Sequence, residues 1–246
     1  MTGRIRVGIG GWTFEPWRGT FYPEGLRQKD ELAYVGQHLT ATEINATYYS
    51  TQKPATFANW AKAVPDGFQF AVKASRFCTN RRVLADAGES IERFVNQGIA
   101  ELGDRLGPIL WQFMPTKKFD AADFGAFLQL LPSAVGGVRL RHAVEVRHES
   151  FDDPAFLTMA REAGAAVVFA DHDEYPAIHG HDVGFTYARL MRTREEEAAG
   201  YPAALIRHWA AMAKREADKG DVFAFFISGA KVRAPAAAQA MIVALG

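Results

Sequence analysis

Cysteine is almost absent from this chain: Cys78 stands alone among 246 residues, so no internal disulfide can form and nothing calls for an oxidising compartment. Neither sign of charge is in excess. Lys and Arg together number 28, as do Asp and Glu, which excludes a whole-molecule field that would hold the protein on DNA or anionic lipid and leaves basic surface to local patches. Long apolar runs are missing too, because charges or prolines interrupt each one before the ~20 residues that a spanning helix needs. The opening residues pass through Arg4 and Arg6 directly into a strand pattern, without the apolar segment and cleavage site of a secretory signal. These absences lead to the expectation of a cytoplasmic protein that does not engage membranes. No fixed-period repeat, low-complexity tract or Pro/Gly/Ser-rich linker divides the chain, so a single domain over residues 1–246 is expected. Asn45-Ala46-Thr47 matches a glycosylation acceptor but matters only in a secreted protein, and it carries no weight.

What is present is an alternation. Eight short β-rich runs, residues 5–10, 41–45, 68–73, 108–113, 143–147, 166–171, 184–190 and 222–227, are separated by segments with helical periodicity. Several of the runs are almost wholly apolar, as strands buried on both faces of a parallel sheet should be. Helices are expected over residues 30–39, 55–64, 90–105, 121–131, 154–163 and 201–219, with an alanine-rich closing helix over 235–245. Lys53-Pro54 and Asp153-Pro154 mark two of the starts, since proline fits the first helical position. The connection from Asp173 to Asp182 holds Pro176, Gly180 and two histidines and is too short and broken for a crossover helix. The class is therefore α/β: a TIM (β/α)8 barrel with a reduced helix between strands six and seven, and the length agrees with the ~250 residues typical of that fold.

In such a barrel the strand ends and the loops after them build the site. Polar residues close nearly every apolar run: Glu43 and Asn45 on strand two, Lys73 on strand three, Gln112 on strand four, Glu145, Arg147 and His148 on strand five, Asp171 and His172 on strand six, and Arg189 on strand seven. Alternation puts Glu43 with Asn45, and Glu145 with Arg147, on shared faces. If those faces point inward, three acids (Glu43, Glu145, Asp171) meet three bases (Lys73, Arg147, Arg189) in a cup of low dielectric. The competing reading is a neutralised ion-pair network that only fixes the barrel's register.

Other features carry weaker signals. Gly8-Ile9-Gly10-Gly11 is half a phosphate-binding turn without the full pattern, and positions Trp12 and Trp17 near Phe14, Phe21 and Tyr22, a cluster suited either to stacking on a ligand or to plugging the barrel end. His148, His172, His179 and His181 are placed near the mouth, but no His pair has metal-ligand spacing, so neither a metal nor another cofactor is expected. Cys78 lies in a basic segment, Lys73 to Arg82, whose cations would favour a thiolate were it exposed; a packed cysteine is the commoner case. The charged block 192–197 reads as a solvated loop.

The chain resembles the YecE-like family, domain of unknown function seventy-two, whose members adopt a TIM-barrel fold. The likeness rests on Gly10-Gly11-Trp12, on Trp17-Arg18-Gly19-Thr20-Phe21-Tyr22-Pro23, on Glu43-Ile44-Asn45-Ala46-Thr47-Tyr48-Tyr49, and on Phe70-Ala71-Val72-Lys73-Ala74. Leu106-Gly107-Pro108-Ile109-Leu110-Trp111-Gln112 and Val144-Glu145-Val146-Arg147-His148 continue it along nearly the full length. It departs where Asn80 stands for an expected histidine, where Met191-Arg192 stands for His-Gly, and where Ile227-Ser228 stands for an asparagine pair. The resemblance implies fold and site location and carries no activity.

The function expected from the residues is acid/base chemistry on a small anionic, phosphorylated or carboxylated substrate. Glu145, Glu43, Lys73 and Asp171 are the candidate catalytic residues; Trp12, Asn45, Tyr48, Gln112, Arg147, His148 and Arg189 are the candidate substrate contacts. A variant makes Lys73 a Schiff-base nucleophile. One alternative is a metal-dependent phosphodiesterase on nucleic acid, similar in architecture to endonuclease-IV-like barrels, with Glu43, Glu145, Asp171 and His148 or His172 as ligands. The other is a non-catalytic ligand-binding protein. No obligate protein partner is implied.

Overall fold

All eight apolar runs become parallel strands in the computed structural model, which describes residues 2–180 and 182–246; His181 lies outside the described residues. The strands are β1 (Ile5–Gly10), β2 (Ala41–Ile44), β3 (Gln69–Lys73), β4 (Leu106–Gln112), β5 (His142–Glu145), β6 (Ala165–Val167), β7 (Phe169–Asp171), β8 (Phe185–Leu190) and β9 (Asp221–Phe226). There are nine because the sixth run divides at Val168. Its first half pairs with β5, its second with β8, and the hydrogen-bonded order is β6-β5-β4-β3-β2-β1-β9-β8-β7. The two ends of the sheet are thus successive pieces of one stretch of chain, and the ring closes through Val168, whose N–H donates to Val144 O at 2.9 Å.

Side-chain alternation along each strand sorts the apolar residues into two bodies. Ala41, Ala71, Leu110, Ala143, Ala166, Val168, Tyr187, Phe223 and Phe225 fill the barrel. Ile9, Ile44, Val72, Trp111, Val144 and Ala224 face outward and pack with the helices. Four alanines opposite large aromatics let small and bulky side chains interdigitate inside. Outside, Phe113, Phe124, Phe127, Phe151 and Phe156 pack ring on ring, edge-to-face or tilted, with centroids as close as 5.1 Å, each worth about 1.5–3 kcal/mol on burial. Pro108, which lacks an N–H, sits in a bulge: Leu106 pairs with Phe70 and Ile109 with Val72, so one extra residue opposes Ala71.

The helices of the outer layer are α1 (Glu31–His38), α2 (Ala46–Tyr49), α3 (Pro54–Ala63), α4 (Arg76–Thr79), α5 (Gly88–Val95), α6 (Ala121–Gln129), α7 (Pro154–Glu162), α8 (Ala203–Ala217) and α9 (Ala234–Leu245). Asp153 caps α7 by accepting from Ala155 N at 2.7 Å, ahead of Pro154. The helix expected over 90–105 is shorter than its periodicity implied. It ends at Val95 because Gly98 adopts φ 116°, a left-handed position where a Cβ would lie 2.6 Å from Pro54 Cα, and a 3-10 segment, Ile99–Arg105, follows. Among the described residues of 172–184 there is no helix, as expected. No helix of the described residues is long and apolar enough to cross a membrane.

Candidate active site

Two residues beyond the interior apolar layer, the same alternation delivers the mouth. Glu43 follows Ala41, Lys73 follows Ala71, Gln112 follows Leu110, Glu145 follows Ala143 and Arg189 follows Tyr187. Arg147 and Asn45 lie two residues further out. Gln112 stands opposite Glu145, whereas Glu43 opposes Ala71 and Lys73 opposes Leu110, so the polar residues are staggered along the barrel axis.

Arg189 is the hub. Its Nη2 and Nε donate to the Glu43 carboxylate at 3.0 and 3.2 Å, and its Nη1 donates to Glu145 Oε2. Glu145 also accepts from Gln112 Nε2 at 2.9 Å and from Arg147 Nε at 2.8 Å. Tyr187 O–H donates to Glu43 Oε2 at 2.7 Å. Both carboxylates and Tyr187 are fully buried. Burial alone would raise the Glu145 carboxyl, but the guanidiniums of Arg189 and Arg147 and the Gln112 amide outweigh it and bring it down to about 2. Burial and the adjoining Glu43 carboxylate push the Tyr187 phenol well above its ordinary range. Burial would lower the Arg189 guanidinium, yet Glu145 and Glu43 raise it, so it is a permanent cation.

Lys73 is the exception. Its residue is 9% exposed, its Nζ lies 4.2 Å from the centre of the Tyr48 ring, and the acids that face it are already taken by arginines. Burial first, and then the nearby Arg189, lower its ammonium to about 8. Asn80, at the position of an expected histidine, donates to Tyr48 Oη at 3.1 Å and so fixes the ring beneath the amine.

Above this layer opens a cavity of about 530 Å³, lined by Gly10, Gly11, Trp12, Thr13, Trp17, Asn45, Tyr49, Lys73, Gln112, Arg147, Arg189, Ser228 and Lys231 among others. Gly11 turns the chain at φ 72°, and its N–H is given to Glu43 O at 2.8 Å, so it does not cradle a phosphate. Trp12 packs edge-on to Trp60 at 5.1 Å with one side on the cavity. The other aromatics are a plug: Trp17 and Tyr22 are buried, Trp17 Nε1 donates to Lys231 O at 2.9 Å, and Phe14 and Phe21 pack against them. Lys231, absent from the sequence-based set, lines the cavity with Nζ 4.4 Å from the Phe14 ring.

Four residues expected around the mouth, Asp171, His148, His172 and His179, do not line the cavity. Asp171 is out of phase with the interior, since Val168 points in and Asp171 lies three residues on; it faces the outer layer, where it accepts from Tyr201 O–H at 2.8 Å and Arg192 Nε at 2.7 Å. Arg192, read as part of a solvated block, is therefore an anchor that also reaches Asp173. His148 turns aside to its own loop, with Nδ1 accepting from Ser150 N at 3.1 Å. His172 stacks on Tyr175 at 3.9 Å, while Tyr175 in turn covers Arg147 at 4.5 Å. His179 stacks on Phe169 at 5.2 Å, outside the barrel wall. The ligand set drawn for a metal is thus not assembled: Glu43 and Glu145 are held by arginines, Asp171 lies beyond the wall, and no three His, Cys, Asp or Glu side chains among the described residues converge as ligands. Cys78 is buried and its thiol is pushed up to about 12 by that burial, the packed reading rather than the reactive one. Tyr187 was missed although it shares a face with Arg189, two residues away, and alternation could have found it.

Comparison with known proteins extends the picture. The family described as "Protein of unknown function DUF72" matches residues 6–246. The UPF0759 protein YunF of Bacillus subtilis is 26% identical over 158 residues, which cover 62% of this chain and 54% of that protein; the match therefore spans about half of the relative's length. Crystal structures of DUF72 family proteins from Enterococcus faecalis and Thermotoga maritima each superpose with a TM-score of 0.76, at 18% and 22% identity, covering 98% and 97% of this chain and 95% and 97% of theirs. SacUVDE shares the fold at 11% identity, with a TM-score of 0.59 over 98% of this chain and 97% of its own.

Proposed function

The chain belongs to the DUF72 family, and from the mouth of its barrel we propose that it is an enzyme that binds a small carboxylated or phosphorylated molecule and moves a proton through Lys73. One observation carries the reading: Lys73, Arg147, Arg189 and Lys231 line a single cavity in which both facing acids, Glu43 and Glu145, are already engaged. The surplus of positive charge, in a recess walled by protein, attracts an anion and strengthens its hold. Glu145 was expected to transfer a proton. At about 2 it stays ionised at neutral pH, and its part is to set the two guanidiniums. Lys73, at about 8, is the group whose protonated and neutral forms coexist near neutrality, as a general acid/base requires. Asn45, Gln112 and Trp12 flank the same space and supply orientation.

Calorimetric titration with inorganic phosphate, glycerol 3-phosphate and lactate tests this reading. At least one should bind wild type and lose tenfold or more in Arg147→Ala or Lys73→Met, with binding that weakens as salt rises. Indifference of all three anions to both substitutions would sink it.

A second reading has its own support. Phe77 and Tyr49 are 60% and 66% exposed, Tyr49 lines the cavity and Arg76 lies over the Phe77 ring at 5.3 Å, an aromatic and basic pairing suited to single-stranded nucleic acid. The fold likeness to SacUVDE is compatible with it. Salt-dependent capture of a short oligonucleotide, lost in Phe77→Ala, with no response to the small anions, would select it. A ligand that protects against heat and is never turned over would instead select the non-catalytic binding protein.

A further inference from the structure

We propose that Lys73 is a nucleophile that joins a small anionic aldehyde or ketone, such as a 2-oxo acid or a phosphorylated ketose fragment, through an imine at its Nζ. This rests on the anion-binding reading above and narrows its substrate to carbonyl compounds.

The geometry separates Lys73 from a simple charge clamp. The anion already has two guanidiniums, from Arg147 and Arg189, each fixed by Glu145. A third cation of that kind would be firmly paired with an acid, as they are. Lys73 is not: its stem is buried, its Nζ rests over the Tyr48 ring, and the residue lines the cavity. The groups facing it are Glu43 from β2, Tyr48 from α2, Glu145 and Arg147 from β5 and Arg189 from β8. Neither acid is within reach as an ion-pair partner because each is turned to a guanidinium. An amine placed so sheds its proton more readily than a surface lysine, on a residue that lines the cavity.

The step balances without an oxidant or reductant. Lys73 releases one proton to water in the open mouth, and the neutral amine attacks the carbonyl carbon. The C=O π pair moves to oxygen, which takes a proton from the attacking nitrogen to give the carbinolamine. A proton returned from water then lets that oxygen leave as water while the nitrogen lone pair forms the C=N bond. In sum, ammonium plus carbonyl gives iminium plus water. The iminium withdraws electrons from the neighbouring carbon, which makes a C–H or C–C bond there easier to break.

Trapping with sodium cyanoborohydride in the presence of pyruvate, glyoxylate or dihydroxyacetone phosphate, read by intact mass and peptide mapping, tests the proposal on the wild-type chain. The expected result is one equivalent of reduced adduct on the Lys73 peptide with at least one probe, formed faster as pH rises through about 8. Lys73→Arg should form none, whatever its affinity for lactate or glycerol 3-phosphate. Binding of those hydroxyl compounds without a trapped carbonyl, or adducts scattered over surface lysines, overturns the imine and leaves the anion site standing. Failure of both sets to bind or be trapped overturns both readings.

Discussion

At the base of the barrel Asp221 accepts from Arg6 and Arg141 at 3.0 Å each, and Arg141 reaches on to Gln69 at 2.8 Å. At the mouth Glu145 accepts from Arg147, Arg189 and Gln112. One acid, two arginines and a glutamine thus close each end, and the two closures differ in what surrounds them. The basal guanidiniums lie on the Phe223 ring at 5.4 and 4.9 Å, with Arg141 also 5.8 Å from Phe185, and Asp221 keeps 27% of its side chain in solvent. The cluster is a lid of stacked charge, with only Arg6 Nε lacking an acceptor. At the mouth the acid is fully buried, Arg189 takes a second acid, Glu43, and Lys73 remains over. At the base both guanidiniums share one partly exposed acid and lie on aromatic rings, whereas at the mouth the acids are buried and taken by guanidiniums and one amine faces a cavity.

The largest effect expected from breaking this contrast is at Glu145. Glu145→Gln keeps the shape but leaves Arg147 without its acid and Arg189 with only Glu43, and should cost about 3 kcal/mol or more, measured by denaturant unfolding. The pH dependence has a defined sign. With a folded value of about 2 against an ordinary 4.5, the carboxylate adds stability that is complete above 4.5 and is lost as pH falls toward about 2. The variant should be flatter than wild type across that window, and equal slopes would refute the account. Asp221→Ala should cost less, about 1–2 kcal/mol, because water already screens the acid, and ligand binding at the mouth should be unchanged. A mouth defect in that variant would mean that the ends are coupled. The smallest change should be opposite in sign: Lys73→Met removes a desolvated ammonium with no acid partner and should stabilise the fold by ~0.5–1 kcal/mol while abolishing adduct formation. Destabilisation there would make Lys73 part of the plug.

Much of this was legible in the sequence because a period of two is robust. Once the runs are located, Glu43, Lys73, Gln112, Glu145 and Arg189 fall on one face whichever way the barrel is drawn. Asp171 was placed at the mouth from its position at a strand end alone: Ala166 and Val168 point inward, so the same period of two puts Asp171 outside, on Arg192 and Tyr201. Local chemistry hid His148, whose own loop claims its ring nitrogen through Ser150. The protonation of Glu145 was illegible for another reason, since its partner Arg189 is 44 residues away in the chain and only folding brings them together. Helix length over 90–105 was overread because periodicity does not register the left-handed turn at Gly98.

The change of neighbours at Val168 has a kinetic meaning as well. A sheet that must meet its own far edge ordinarily pays for the search, and the cost grows with the chain between the edges. Here β6 and β7 are the two edges, and a single residue joins them. Once β1 to β5 and β8 to β9 have formed one curved ribbon, the final stretch, β6 and β7, has only to lie down between them. Pulse-labelled hydrogen exchange during refolding should find the amides of residues 165–171 protected last and nearly together, the signature of a seam that is zipped in one motion.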